Sequence, residues 1–177
     1  INSFQNKHPN VRVRTLVTER YVDPISDGID IAFRVGDLPD SALIKQKILR
    51  YRHQLVTSPD YFKTNPAPKT PKDLLKHRLY AFAYWKPLRK WAFQNEGANE
   101  AVQFEPYVEM NDYAGLALAL REAKGIGELP PIVSPKLIRE GLLIKVMPKW
   151  KFRSYDLSLV HLDKKHTPQI VRLFKEH

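Results

Sequence analysis

The 177-residue sequence has no cysteine at all. Disulfides and thiolate metal sites are therefore excluded, and a reducing cytoplasm is a compatible setting. No apolar run approaches the roughly 18 residues that a membrane span requires. No charged-then-apolar leader stands at the start, and no repeat or low-complexity tract is visible. The first residue is Ile1 and not methionine, so the sequence reads as a fragment of a longer chain.

What is present suits a soluble globular chain. Hydrophobic residues make up 43% and charged residues 27%, enough apolar material for a sizeable core in one ordinary domain or two small lobes. The formal net charge is +10. Such a balance raises nucleic-acid binding through a basic face. Lysine and arginine are scattered through every segment, with only mild clusters at 45–53 and 145–153. A solvated basic surface that aids solubility or steers an anionic ligand is the preferred reading.

Periodicity gives an α/β pattern. Residues 1–8 read as the tail of a helix, broken by His8-Pro9 because the residue before proline is pushed out of helical space. Val11–Val17 alternates at period two, as a strand does. A short helix over about 20–27 ends at Gly28. Ile29–Phe33 is a mostly apolar run of the kind covered on both faces in a parallel sheet, completing a βαβ unit. Further strands are predicted at 43–49, 54–57, 79–84, 91–93 and 101–110, with a turn near Asn95-Glu96-Gly97. Ser58 and Thr70 read as caps of short helices that open with Pro59 and Pro71. The clearest helix runs over 112–124, capped by Asn111 or Asp112 and closed by Gly125; it is apolar almost all round and should be packed between other elements. Strands at 126–129, 142–146 and 156–162 and helices at 134–140 and from Thr167 complete the reading.

Catalytic signatures are missing. There is no H-E-x-x-H, G-x-S-x-G or P-loop, and the six histidines lie far apart in sequence, so neither a metal nor a cofactor is expected. Gly125-Ile126-Gly127 imitates the start of a dinucleotide fingerprint, but the third glycine is missing and the motif follows a helix where a strand should stand. Ala123, Gly127 and Val133 imitate the spacing of a helix-turn-helix. Pro130, Pro131 and Pro135 would then fall in the recognition helix, where each interior proline costs about 3 kcal/mol. No DNA-reading element and no enzyme are expected.

Five phrases, in order along essentially the whole chain, do carry a specific signal. The first is Asp27-Gly28-Ile29-Asp30-Ile31-Ala32-Phe33-Arg34-Val35-Gly36, continued by Leu38-Pro39-Asp40-Ser41 and Leu43-Ile44. The second is Leu55-Val56-Thr57-Ser58-Pro59-Asp60-Tyr61-Phe62. Pro71, Asp73, Leu74 and His77 form the third. Asn111-Asp112 followed by Gly125-Ile126-Gly127-Glu128-Leu129-Pro130 is the fourth, and Gly141-Leu142-Leu143 with Val146, Pro148 and Trp150 is the fifth. Together they resemble the effector-binding part of LysR-type bacterial transcription regulators.

That resemblance implies an α/β fold of two lobes of periplasmic-binding-protein type II-like topology. Residues 1–57 with 160–177 would form a discontinuous first lobe lacking its first strand, and 58–159 the second. It also implies a small-molecule effector, such as a metabolite carboxylate, bound in the interlobe cleft. Homodimers or tetramers, a cytoplasmic setting, no membrane contact, and DNA contact only through an N-terminal winged helix-turn-helix outside this sequence are further implications.

Ligands of open α/β sheets lie beyond the carboxyl ends of strands. On that rule the candidate effector-binding residues are Arg34, Val35, Gly36, Thr57, Ser58, Tyr84, Trp85, Asn111, Asp112, Glu128, Leu129 and Pro130. The start of the long helix at 111–113 offers unpaired N–H groups to a carboxylate. Duller roles compete: Arg34 pairing with Asp30 or Asp40, Thr57 and Ser58 as a cap, Trp85 as core. Glu128 either faces the cleft, where it favours a cationic effector over a monoanion, or faces solvent. A solute-binding protein of a transport system is the alternative reading; a signal peptide and the lack of the Asp27-to-Ser41 phrase would mark it.

Overall fold

The computed structural model describes residues 1–18, 22–23, 26–36, 43–83, 89–122, 124–162 and 167–177. Contacts divide the chain into two compact units, Ile1–Leu49 with Asp156–His177, and Arg50–Tyr155. Two long strands run through the divisions: β2 (Leu43–Arg52) and β11 (Ser154–Leu162).

In the first unit, β11 lies between β1 (Ala32–Val35) and β2 in a three-stranded sheet. Helix α1 (Asn2–Lys7) anchors itself with Phe4, which is buried and meets Phe174 of α5 (Gln169–Glu176) edge-on at 5.0 Å. Two expectations fail in this unit. Strand β1 is not a doubly covered strand of a parallel sheet. It pairs antiparallel with β11 at the sheet edge, with Phe33 and Val35 54% and 52% exposed. Val11–Val17 belongs to no strand, and Val17 is 92% exposed. Alternating side chains suit a pleat, but a strand exists only where a neighbour takes up its backbone hydrogen bonds. The βαβ unit is therefore not formed. Half of the short helix expected before it (residues 20, 21, 24 and 25) lies outside the described residues, and residues 22, 23, 26 and 27 are not helical; Gly28 does adopt a left-handed φ of 63°.

The second unit is layered. Its central sheet has the order β7 (Val108–Met110), β4 (Leu79–Phe82), β8 (Ile126–Leu129), β3 (Gln54–Thr57), β9 (Ile144–Lys145). β7, β4 and β8 are parallel, whereas β3 runs antiparallel to both β8 and β9. Period-two alternation sends neighbouring side chains to opposite faces. Val56, Tyr80 and Leu129 pack on one side with Leu116, Ala117 and Leu120 of helix α3 (Tyr113–Arg121). Leu55, Leu79, Ala81 and Ile126 pack on the other, with Trp91, Phe93 and Phe152. Those aromatics come from a second sheet of β10 (Lys151–Phe152), β5 (Lys90–Asn95) and β6 (Ala98–Gln103). Each fully buried leucine here contributes roughly 1.5–3 kcal/mol relative to an exposed position.

Local signals set several boundaries. Helix α3 starts where expected, but it is not enclosed all round, since Leu118 is 57% exposed. It is followed by strand β8, and a turn and second helix are not formed there. Helix α2 (Tyr61–Thr64) begins two residues later than Pro59 suggests, with Asp60 at its cap position. Glu96 and Gly97 form the β5–β6 turn, both with positive φ, as a two-residue hairpin requires. Pro71–Lys76 forms a 3₁₀ turn whose Asp73 carboxylate accepts from the Thr70 N–H and Oγ1, both at 2.9 Å.

These bonds hold the Asp73 carboxyl down at about 2, below its ordinary 3.8. A depressed folded-state value contributes stability above the unfolded value that is lost as pH falls towards the folded one. The wild-type advantage over Asp73→Asn should accordingly be full at pH 6 and shrink between about pH 4 and 2. Urea midpoints of both proteins across that range check this, and a pH-independent gap would contradict it.

Candidate functional site

The register fixes which strand ends meet. Phe82 pairs with Met110, Leu79 and Tyr80 with Ile126 and Gly127, and Gln54 with Leu129. The carboxyl ends of β4, β7 and β8 therefore share one end of the sheet with the amino end of β3. The residues gathered there are His53, Phe82, Glu128 and the start of α3.

His53 and Glu128 form the centre of this end. Their Nδ1 and Oε2 atoms are 3.0 Å apart, and the residues are only 6% and 5% exposed. Glu128 sits on the face that carries Leu55 and Ile126, so its carboxyl would face an apolar layer without its partner. Aromatic rings enclose the histidine. Tyr113 stands edge-on at 5.5 Å, Tyr155 lies tilted at 5.1 Å and Tyr51 stacks at 5.8 Å. Tyr113 in turn stacks on Phe82 at 4.1 Å. Burial, and then the neighbouring Tyr155, pushes the Tyr51 phenol above its ordinary range, which keeps it a neutral hydroxyl. The arrangement brings aromatic faces, phenol hydroxyls and a carboxyl–imidazole pair together at one end of the second unit's sheet.

The expected residues distribute unevenly around it. Glu128 does not face solvent; it is buried and engaged with His53. Asp112 does cap α3, accepting from the Ala114 and Gly115 N–H groups at 3.0 and 2.8 Å. Those two groups are thus already engaged by a carboxylate of the chain itself, although they had been expected to be open to a ligand's. Asn111 is exposed beside it. Leu129 is fully buried in the core against α3, and Pro130 is buried, its carbonyl accepting from Val133.

Thr57 and Ser58 lie at the other end of the sheet, because β3 runs antiparallel to β8. Thr57 Oγ1 donates to the Gly125 carbonyl at 2.7 Å in a fully buried setting, and Ser58 Oγ accepts from the Asp60 N–H. Arg34, Val35 and Gly36 belong to the first unit. There Arg34 Nη2 donates to the Val22 carbonyl at 2.6 Å, and the Gly36 N–H donates to the Asp156 carbonyl at 3.0 Å. Tyr84 and Trp85 lie outside the described residues.

His53, Tyr51 and Tyr155 escaped the sequence reading. His53 is 75 residues from Glu128, and no local pattern links them. His53 lies two residues before Leu55, which stands opposite Glu128, so the pair is diagonal across β3 and β8. A polar residue between two strands, beside an acid in an otherwise apolar strand, is the one signal that could have linked them.

Comparison with known proteins assigns the family. The description "LysR substrate binding domain" matches residues 1–177. A probable HTH-type transcriptional regulator, LtrA of Klebsiella pneumoniae, is 32% identical over 173 residues, which cover 96% of this chain and 56% of that protein. Among solved structures, the regulatory domain of AphB from Vibrio vulnificus is similar at a TM-score of 0.80 and 31% identity, covering 99% of this chain and 85% of that one. Full-length AphB of Vibrio cholerae, described as a virulence activator, gives 0.87 and 28%, with 99% of this chain and 59% of that one covered. The chain thus spans little more than half the length of the curated relatives it matches, which are named as HTH-type transcriptional regulators. With the whole length matched and the two-lobe periplasmic-binding-protein type II-like architecture shared, the chain belongs to the LysR substrate-binding domain family.

Proposed function

We propose that the chain senses a small-molecule effector for a LysR-type transcription regulator, acting in the cytoplasm as a homodimer or tetramer. DNA contact in this reading belongs to a winged helix-turn-helix outside the sequence described. The observation that supports it most is the family match over all 177 residues. The aromatic-walled end of the central sheet, with the buried His53–Glu128 pair, is the kind of place where open α/β sheets take ligands, and this supports assigning effector binding to it.

The chemistry of that end narrows the effector. The α3 N–H groups are held by Asp112, and Glu128 adds a second acid nearby in the same unit. A bare monocarboxylate finds no open helix terminus there. An effector with a ring to stack on Tyr113 and hydroxyl or amino groups to meet the tyrosines suits it better. Binding then works as a population shift, since only differential affinity for two conformations alters the regulator's state.

Thermal-shift titration with a panel of aromatic, cationic and carboxylate metabolites tests the reading. A true effector at a hundred times its Kd stabilises by about 2.7 kcal/mol, an upward shift of roughly 5–10 °C for a chain of this size. A panel that leaves the melting temperature unmoved throughout would count against ligand sensing.

A further inference from the structure

A shallow, open groove of about 440 Å³ lies in the second unit, lined among others by Arg52, Gln94, Asn95, Glu96, Lys149 and Lys151, of which all but Asn95 are exposed. It shares no residue with the cluster around His53. Its walls are rich in donors: one guanidinium, two ammonium groups and two side-chain amides, against a single carboxylate. Among the described residues, no ion pair engages Arg52, Lys149 or Lys151.

The backbone brings these groups together in a disfavoured way. Glu96 and Met147 are the non-glycine residues with left-handed φ among the described ones, at 45° and 47°. Glu96 lines the groove at the β5–β6 turn. Met147 opens the turn, closed by the Trp150 N–H on the Met147 carbonyl, that presents Pro148 and Lys149 to the same groove. Strand pairing adds Lys151, which stands directly across from Gln94, while its neighbour Phe152 pairs with Phe93 and points into the core.

We infer that this groove is an anion site for a phosphorylated small molecule. Three cationic side chains and one carboxylate leave a net of two positive charges among the groove's lining residues. A phosphate monoester carries about −1.5 to −2 at neutral pH and so matches that net, whereas a monocarboxylate leaves it half neutralised. Arg52 supplies the planar fork that suits phosphate oxygens, and the lysines supply point charges. The volume falls within the roughly 300–1,000 Å³ typical of small-ligand sites. A duplex backbone is convex and would touch the rim without filling the hollow. Part of the chain's +10 charge thereby acquires a specific use.

Amide NMR of the chain, titrated with glycerol phosphate, acetate and a short DNA duplex at matched ionic strength, decides the matter. Glycerol phosphate should give saturable shifts at Asn95, Gly97, Lys149 and Lys151. Two lost charge-assisted hydrogen bonds predict that the Lys149→Gln/Lys151→Gln variant binds at least about tenfold more weakly, with the rest of its spectrum unchanged. Glu96→Gly, which relieves the strained turn and removes the opposing charge, should bind more tightly than wild type. Equal responses to glycerol phosphate and acetate would overturn the inference. So would shifts that survive the double lysine variant, or shifts that only DNA produces. Because none of these readouts involves the aromatic cluster, failure here leaves the effector reading standing, and failure of the metabolite panel leaves this one standing.

Discussion

Gly125→Ala is expected to destabilise the protein by about 2–3 kcal/mol, the upper part of the range for overpacking a filled interior. A Cβ at this position would lie 2.6 Å from the Arg78 carbonyl oxygen and 2.6 Å from the Tyr80 ring. The first is backbone of the residue just before β4, and it already accepts the Ile126 N–H at 2.9 Å, so it cannot retreat without breaking that bond. Gly127→Ala meets the Tyr80 carbonyl at 2.8 Å and Leu120 Cδ1 at 2.9 Å and should be damaging for the same reason, though leucine can yield. Gly115→Ala in α3 is the control. The nearest atoms to its Cβ would be the Asp112 carboxylate at 3.1 Å and Met110 Sδ at 3.6 Å, both side-chain atoms, while alanine gains about 1 kcal/mol of helix propensity. Denaturant unfolding of the three variants orders them. If Gly125→Ala proved no worse than Gly115→Ala, the claim that close strand approach requires these glycines would be wrong.

The same glycines explain a motif that misleads on its own. Gly125-Ile126-Gly127 looks like the opening of a phosphate-binding loop, yet both glycines serve the parallel seam of β4 and β8, where Tyr80 and Leu120 fill the space a side chain would need. Features of this local kind were legible in the sequence. The Asp112 cap, the Thr70–Asp73 box and the Glu96–Gly97 turn each depend on residues within three or four positions of one another. Strand direction was not legible, because an apolar run says that a strand is buried and nothing about which way its neighbours run. Hence β1 was taken for a parallel interior strand, and Thr57 was placed at the same sheet end as Glu128. The antiparallel setting of β3 separates those two while bringing His53, at the strand's other end, against the acid. The family phrases carried the two-lobe architecture despite these errors, since they cover the chain from end to end and do not depend on any single pairing.

The His53–Glu128 pair should show strong coupling. Removing one partner of a buried pair costs about 3–5 kcal/mol, because the remaining group is left in an apolar layer without its hydrogen bond. His53→Leu and Glu128→Leu should each lower the melting temperature by roughly 10 °C, given about 2–4 °C per kcal/mol for a chain of this length. The double variant removes both polar groups from the face shared with Leu55 and Ile126, and apolar replacement of a whole buried pair is often neutral or stabilising. It should therefore be more stable than either single variant, with a coupling of at least about 2 kcal/mol in the cycle. The effector response separates stability from function. The imidazole is what Tyr113, Tyr155 and Tyr51 pack around, so the double variant should fold yet lose the thermal shift that an effector gives the wild type. Additive losses in the cycle would show that the two side chains do not depend on each other. A restored fold with the effector response intact would instead place the ligand away from this end of the sheet.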